Sequence, residues 1–211
     1  LAAKLKVRVS WNKFGTPGSV SKRGKFLAKG IRATTAIGAA RKYLVRNIRL
    51  YGLRSVNGLV FDSANSLIGS RGYTVSFRQV FGGLATSESG LVTIGVAGSK
   101  ARGWKVAYTS SSLTRDRALV GKASLTASRA WVAAANQSGF HKTLRQVRGS
   151  KVARGWTQLG VLGLTEPQQA RMVAFPTLRA GVVPAYEALV LAPKVQLAYR
   201  DFVDAASGKL L

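Results

Sequence analysis

The sequence predicts an α+β chain in which a small module of alternating strands and helices follows a long basic extension. Three observations predict it. Apolar residues make up 46% of 211 residues, enough to build a core. Two-residue alternation at Tyr73, Val75 and Phe77 and at Val195, Leu197 and Tyr199 marks strands. Apolar residues at helical spacing recur at 37–51, 150–164 and 177–191.

The extension covers residues 1–140 and begins with an arm, 1–25. Trp11, Gly15, Pro17, Gly18 and Gly24 interrupt any period there, and Lys13, Lys22, Arg23 and Lys25 lie between them. The arm reads as extended and basic. An amphipathic helix is expected at about 37–51. Ile37, Ala40, Leu44, Ile48 and Tyr51 share one face, and Lys42, Arg46 and Arg49 another. Residues 53–108 read as β-rich, with further strands at 91–96 and 105–109 between glycine-rich turns. Residues 117–136 are alanine-rich and helix-compatible, with Trp131 as a core anchor. The run Gly98-Ser99-Lys100-Ala101-Arg102-Gly103-Trp104 resembles Gly149-Ser150-Lys151 with Ala153-Arg154-Gly155-Trp156. No wider similarity follows, so a repeat is not expected. Residues 141–202 complete the pattern: strand 143–147, helix 150–164, strand 171–175, helix 177–191 and strand 195–202.

Charge narrows the function. Lys and Arg number 33 against 7 Asp and Glu, a net +26 with pI near 11.6. Self-repulsion on this scale calls for a polyanionic partner, and nucleic acid supplies one while releasing counterions. Residues 1–60 hold 14 basic residues and no acidic one. Phosphate contacts are therefore expected from Lys13, Lys22, Arg23, Lys25, Lys29, Lys42, Arg46 and Arg49. Trp11, in the arm, is suited to stacking on a base or sugar, whereas Trp156 reads as core.

Enzyme signatures are missing from the sequence. His141 is the sole histidine, and there is no cysteine, which excludes disulfides and thiolate metal sites. Gly121-Lys122 lacks the glycine and hydroxyl residue of a phosphate loop. Asp201 and Asp204 are the one close carboxylate pair and read as a solvated end. No catalytic residue, cofactor, metal or small-molecule substrate is expected. No apolar run reaches the ~18 residues of a membrane span.

The order of elements at 141–202 resembles the large-subunit ribosomal proteins of the L-thirty family. Arg145 and Arg148 stand where that family ends its first strand on basic residues. Leu159 and Leu162-Gly163-Leu164 match the close of its first helix. Met172, Val173, Gly181 and Leu189-Val190 continue the match without a gap from Leu164 to Val190. The resemblance covers about 60 of 211 residues. The loop after Arg148 is shorter than the family's, and Pro184 falls inside the second helix at a cost of ~3 kcal/mol unless it kinks there. The resemblance implies a ferredoxin-like RNA-binding module at 141–211, with rRNA contacts from Arg145, Arg148, Lys151 and Arg154. It implies a structural constituent of the large ribosomal subunit, with ribosomal RNA and neighbouring ribosomal proteins as partners. The long extension and the start at Leu1 suggest a mitochondrial member. The alternative is a viral capsid or nucleocapsid protein packaging nucleic acid through the basic arm. A membrane-associated subunit with its basic face on anionic lipid is a further rival.

Overall fold

Strand alternation dominates this chain far beyond the segments where it is obvious. The computed structural model describes residues 7–115, 118–192 and 196–211. The chain forms two units, Leu1–Arg117 and Ala118–Leu211.

In the first unit the strands are β1 (Arg8–Trp11), β2 (Pro17–Ser21), β3 (Ala28–Ile31), β4 (Leu59–Leu67), β5 (Gly72–Phe81), β6 (Leu84–Ala85), β7 (Leu91–Ser99) and β8 (Gly103–Ser111). They make an antiparallel sheet ordered β1-β2-β8-β7-β5-β4, with β3 paired to β8 and β6 to β5. Val75 and Phe77 of β5, Val92, Ile94 and Val96 of β7 and Trp104 and Val106 of β8 turn to one face and are buried. Helix α1 (Ala36–Asn47) covers that face with Ala36, Ala39, Ala40, Tyr43 and Leu44. Its start is set by Thr35, whose hydroxyl accepts from the Gly38 N–H at 3.1 Å. A short 3-10 turn, Ile48–Tyr51, follows, and Gly52 in the left-handed conformation closes it. Tyr51 is wholly buried, and its hydroxyl shares a 2.7 Å hydrogen bond with Thr109 of β8.

The second unit opens with helix α2 (Ala127–Gln137), capped by Thr126, and continues as a meander. Its strands are β9 (Val147–Ala153), β10 (Trp156–Val161), β11 (Gln168–Pro176), β12 (Val182–Ala192) and β13 (Leu197–Asp204), ordered β13-β12-β11-β10-β9. Ala130, Trp131, Ala134 and Ala135 pack on Leu159, Ala170, Tyr186, Ala188, Val190 and Val203.

Two antiparallel sheets, each covered on one face by a helix among the described residues, replace the expected α+β class. The residues expected to form a ferredoxin-like module contain no α-helix. Residues 150–164 are a hairpin: Arg154 and Gly155 both take positive φ, the geometry of a two-residue turn. Val152, Trp156 and Leu159 showed helical spacing only because the chain reverses between them. Residues 177–191 are mostly β12, the strand next to the edge. Tyr186, Ala188 and Val190 face α2, while Ala185 packs with Val173 and Phe202 on the other side. A strand covered on both faces reads as a continuous apolar run, which periodicity does not distinguish from a helix. Pro184, costly inside a helix, pairs opposite Ala174 here, and its carbonyl accepts from the Ala205 N–H at 3.0 Å. Residues 143–147, expected as a strand, hold a 3-10 turn, Leu144–Gln146, and β9 begins only at Val147.

The basic arm is structured as well. Residues 8–21 form the β1–β2 hairpin, β2 pairs with β8, and Val20 is buried. The first six residues of the arm and Val195 lie outside the described residues.

Candidate functional site: cationic clefts and an open sheet edge

The cations singled out from sequence are dispersed. Lys13 sits in the β1–β2 turn over the Phe14 ring at 5.4 Å. Lys22, Arg23 and Lys25 occupy the loop after β2. Lys29 on β3 and Lys105 on β8 lie over the Phe26 ring, at 5.8 and 5.2 Å. Arg46 is exposed on α1, and Arg49 is exposed in the turn that follows it. In the second unit Arg145 lies in the 3-10 turn, Arg148 and Lys151 on β9, and Arg154 in the β9–β10 turn, all four exposed.

Lys42, from this set, meets cations of two other segments around an open cleft of about 720 Å³. Arg32, Lys100 and Arg102 share its wall, with Gly30, Ala33, Thr34, Gly38 and Gly103. Strand pairing makes the meeting possible: Ile31 of β3 lies opposite Trp104 of β8. That register sets Arg32 beside the β7–β8 turn, and α1 brings Lys42 over both. The indole N–H of Trp104 donates to the Ala33 carbonyl at 3.0 Å, and the Lys42 ammonium donates to the Arg32 carbonyl at 2.7 Å. Arg32, Lys100 and Arg102 were missed from sequence. Lys100 and Arg102 lie in the Gly98–Trp104 run, which drew notice for repetition and not for binding.

Arg148 and Lys151 line a smaller cleft of about 360 Å³ in the second unit, together with Glu166. The face of the same sheet away from α2 holds an ion triad with a buried carboxylate and two half-exposed guanidiniums. Glu187 is 2% exposed. Its Oε2 accepts from Arg171 at 2.6–2.7 Å, and its Oε1 from Arg200 Nε at 2.6 Å. Trp156 stacks against the Arg171 guanidinium, 4.4 Å from the ring centre, so it is a half-buried cation–π partner on that face. Two guanidiniums per carboxylate leave the triad with a net positive charge.

The first unit also carries an uncovered edge. Among the described residues β4 pairs with β5 alone and ends the sheet. Val60, Phe61 and Leu67 on it are 44–49% exposed, and Ile68 in the following turn is fully exposed. β4 is apolar at its two ends and polar between them, and as an edge strand it offers unpaired backbone N–H and C=O groups beside those exposed apolar side chains.

Titration behaviour is structural. Burial pushes the Tyr43 and Tyr51 hydroxyls above their ordinary range, so both are neutral at physiological pH. Burial also works to raise Asp204, but hydrogen bonds from Ser207 and the Ala206 N–H outweigh it and hold that carboxyl below its ordinary value. Among the described residues no group of three or more His, Cys, Asp and Glu gathers, and no helix is long and apolar enough to cross a membrane.

No family model matches the chain, and no curated protein matches it. Among solved structures it is similar to the Bacillus megaterium YpeB C-terminal domain, at 16% identity, over 93% of this chain and 70% of that one, with a TM-score of 0.37. No family model and no curated protein supports the ribosomal or the capsid reading. The L-thirty resemblance is withdrawn, because its two helices are strands here. With it falls the ribosomal reading, and the mitochondrial reading and the roles lent to Arg145, Arg148, Lys151 and Arg154 lose the resemblance they rested on. The capsid alternative falls too: each sheet is backed by a helix.

Proposed function

We propose that this chain is a non-catalytic docking module that binds an acidic protein surface. The exposed apolar edge β4 carries the reading, because it lies in a unit with 21 basic and only 3 acidic residues. Net charge alone suits any polyanion. Phosphates, however, give no return for Val60, Phe61, Leu67 and Ile68 standing in water, whereas a protein interface buries aromatic and aliphatic side chains at its centre and keeps charge at its rim. Nucleic-acid interfaces are more polar and more strongly cationic throughout. Positive charge around an apolar edge selects a partner with carboxylates around its own apolar patch, speeding encounter and rejecting basic competitors.

The test is photo-cross-linking in the native host from a benzoylphenylalanine at position 61, followed by reconstitution with the purified cross-linked protein. One acidic protein, binding in equal stoichiometry and weakened about tenfold or more by I68K, is the expected result. Cross-links to nucleic acid alone, or affinity indifferent to both I68K and F61K, would overturn the reading.

A further inference from the structure

We infer that the cleft between α1 and the β7–β8 turn is the seat of a carboxylate cluster, a run of Asp or Glu side chains on the protein partner. This rests on the docking reading above and names where the partner's charge is held.

Four cations from three separate segments, Arg32, Lys42, Lys100 and Arg102, line one cleft with no carboxylate among its lining residues. Among the described residues none of the four forms an ion pair. Like charges brought together without counterions repel, and each costs the fold unless an anion joins them. The smaller cleft in the second unit shows the contrast, since Glu166 lines it beside Arg148 and Lys151.

The platform is held in place before any ligand arrives. The Trp104 ring is 95% buried, and its N–H fixes the Ala33 carbonyl, so the 32–34 loop is anchored to the core. Lys42 is tied across the same loop by its bond to the Arg32 carbonyl. Glycines at 30, 38 and 103 leave the floor open to a ligand's approach. Gly103 also needs its positive φ of 72° to make the turn that presents Lys100 and Arg102. Arg32 and Arg102 supply planar forks that grip a carboxylate with two hydrogen bonds, and Lys42 and Lys100 add point charges, the first of them held by the Arg32 carbonyl. The volume of about 720 Å³ admits several acidic side chains together.

The experiment measures fluorescence anisotropy of labelled hexaglutamate and labelled hexathymidylate on the full chain, at low and moderate salt. Three proteins are compared: wild type, K100Q/R102Q in the exposed turn, and K22Q/R23Q in the loop after β2, which removes the same charge elsewhere. Circular dichroism melts confirm that all three fold. Wild type is expected to bind hexaglutamate, with affinity falling about tenfold in K100Q/R102Q, as loss of two solvent-exposed ion pairs implies, and about twofold at most in K22Q/R23Q. Equal losses in the two variants would mean diffuse attraction and overturn the cleft. No binding of hexaglutamate by wild type would overturn it as well, leaving the docking reading to the cross-link at position 61. Tighter binding of hexathymidylate, lost in K100Q/R102Q, would make the cleft a phosphate site and sink both.

Discussion

The two units solve the same packing problem with the same devices and then diverge on the surface. Each lays a threonine-capped helix on one face of an antiparallel sheet. Each uses a tryptophan N–H to catch a backbone carbonyl at 3.0 Å, Trp104 to Ala33 and Trp131 to Leu189. Each buries a glutamine that clamps a strand-like segment through both its amide groups: Gln79 on Thr114 at 2.9 Å twice, and Gln168 on Leu191 at 2.9 and 2.7 Å. A buried primary amide needs partners on both sides, and a peptide unit supplies them in one step.

The exposed sheet faces differ. In the first unit small hydroxyls pair across strands, Ser76 with Thr93 and Ser10 with Ser19, each at 2.8 Å. Tyr108 lies over Gly95, where a Cβ would come within 2.3 Å of its ring. In the second unit the Arg171–Glu187–Arg200 triad occupies the corresponding kind of face. Charge differs as well: 21 basic and 3 acidic residues up to Arg117, against 12 and 4 after it. The helix-covered face is built alike in the two units, and the opposite face carries hydroxyl pairs in one and an ion triad in the other.

Truncating the covered face should therefore have the largest effect, in either unit alike. W131A and F77A each remove a side chain at most 1% exposed and should cost about 3–5 kcal/mol. Hydrogen exchange would show W131A as lost protection in β11–β13 and F77A as lost protection in β5 and β7. A loss under 1 kcal/mol at either site would break the parallel between the units.

The ion pairs should separate the units. E187Q takes the counter-charge from two half-exposed guanidiniums around a buried position and should cost about 1–3 kcal/mol, discounted from the fully buried case because water reaches both arginines. D62N breaks a partly exposed pair with Arg78 and should cost about 0.2–1 kcal/mol. Urea melts of both variants check the ordering, and equal costs would show that burial of Glu187 brings no dependence on its partners.

The smallest effect is one of pH. The folded state holds Asp204 below its unfolded value, so the stabilisation is present above the unfolded value and drains as pH falls through the lower folded one. Acid melts should show D204N less stable than wild type at neutral pH, with the gap closing below about pH 4. A gap unchanged down to pH 2 would assign the stabilisation to turn geometry and not to the carboxylate charge.

Some of this architecture was legible from local pattern. The α1 stripe and the alternation of β5 depend on neighbours three, four or two residues away, and both form close to where that spacing puts them. The second unit was opaque for a definite reason. β12 is covered on both faces and lost its alternation, and the β9–β10 hairpin happened to space its apolar residues like a helix. Pro184, with the β-branched Val182 and Val183 before it, was the local clue that β12 is a strand. At the site, Lys42 stood out on the polar side of α1, but nothing near it in sequence pointed to Lys100 or Arg102.

Composition alone dictates that the chain is strongly basic, has enough apolar side chains for a core and lacks sulfur chemistry. The position of α1 and the existence of the first unit's strands follow from side-chain periodicity, which is a local property. Strand order, the helix-backed sheet of the second unit and the convergence of four cations were decided by pairing between residues as distant as Ile31 and Trp104. Such pairing depends on which distant segments bury the most surface together, and the short-range spacing of a chain does not record that competition.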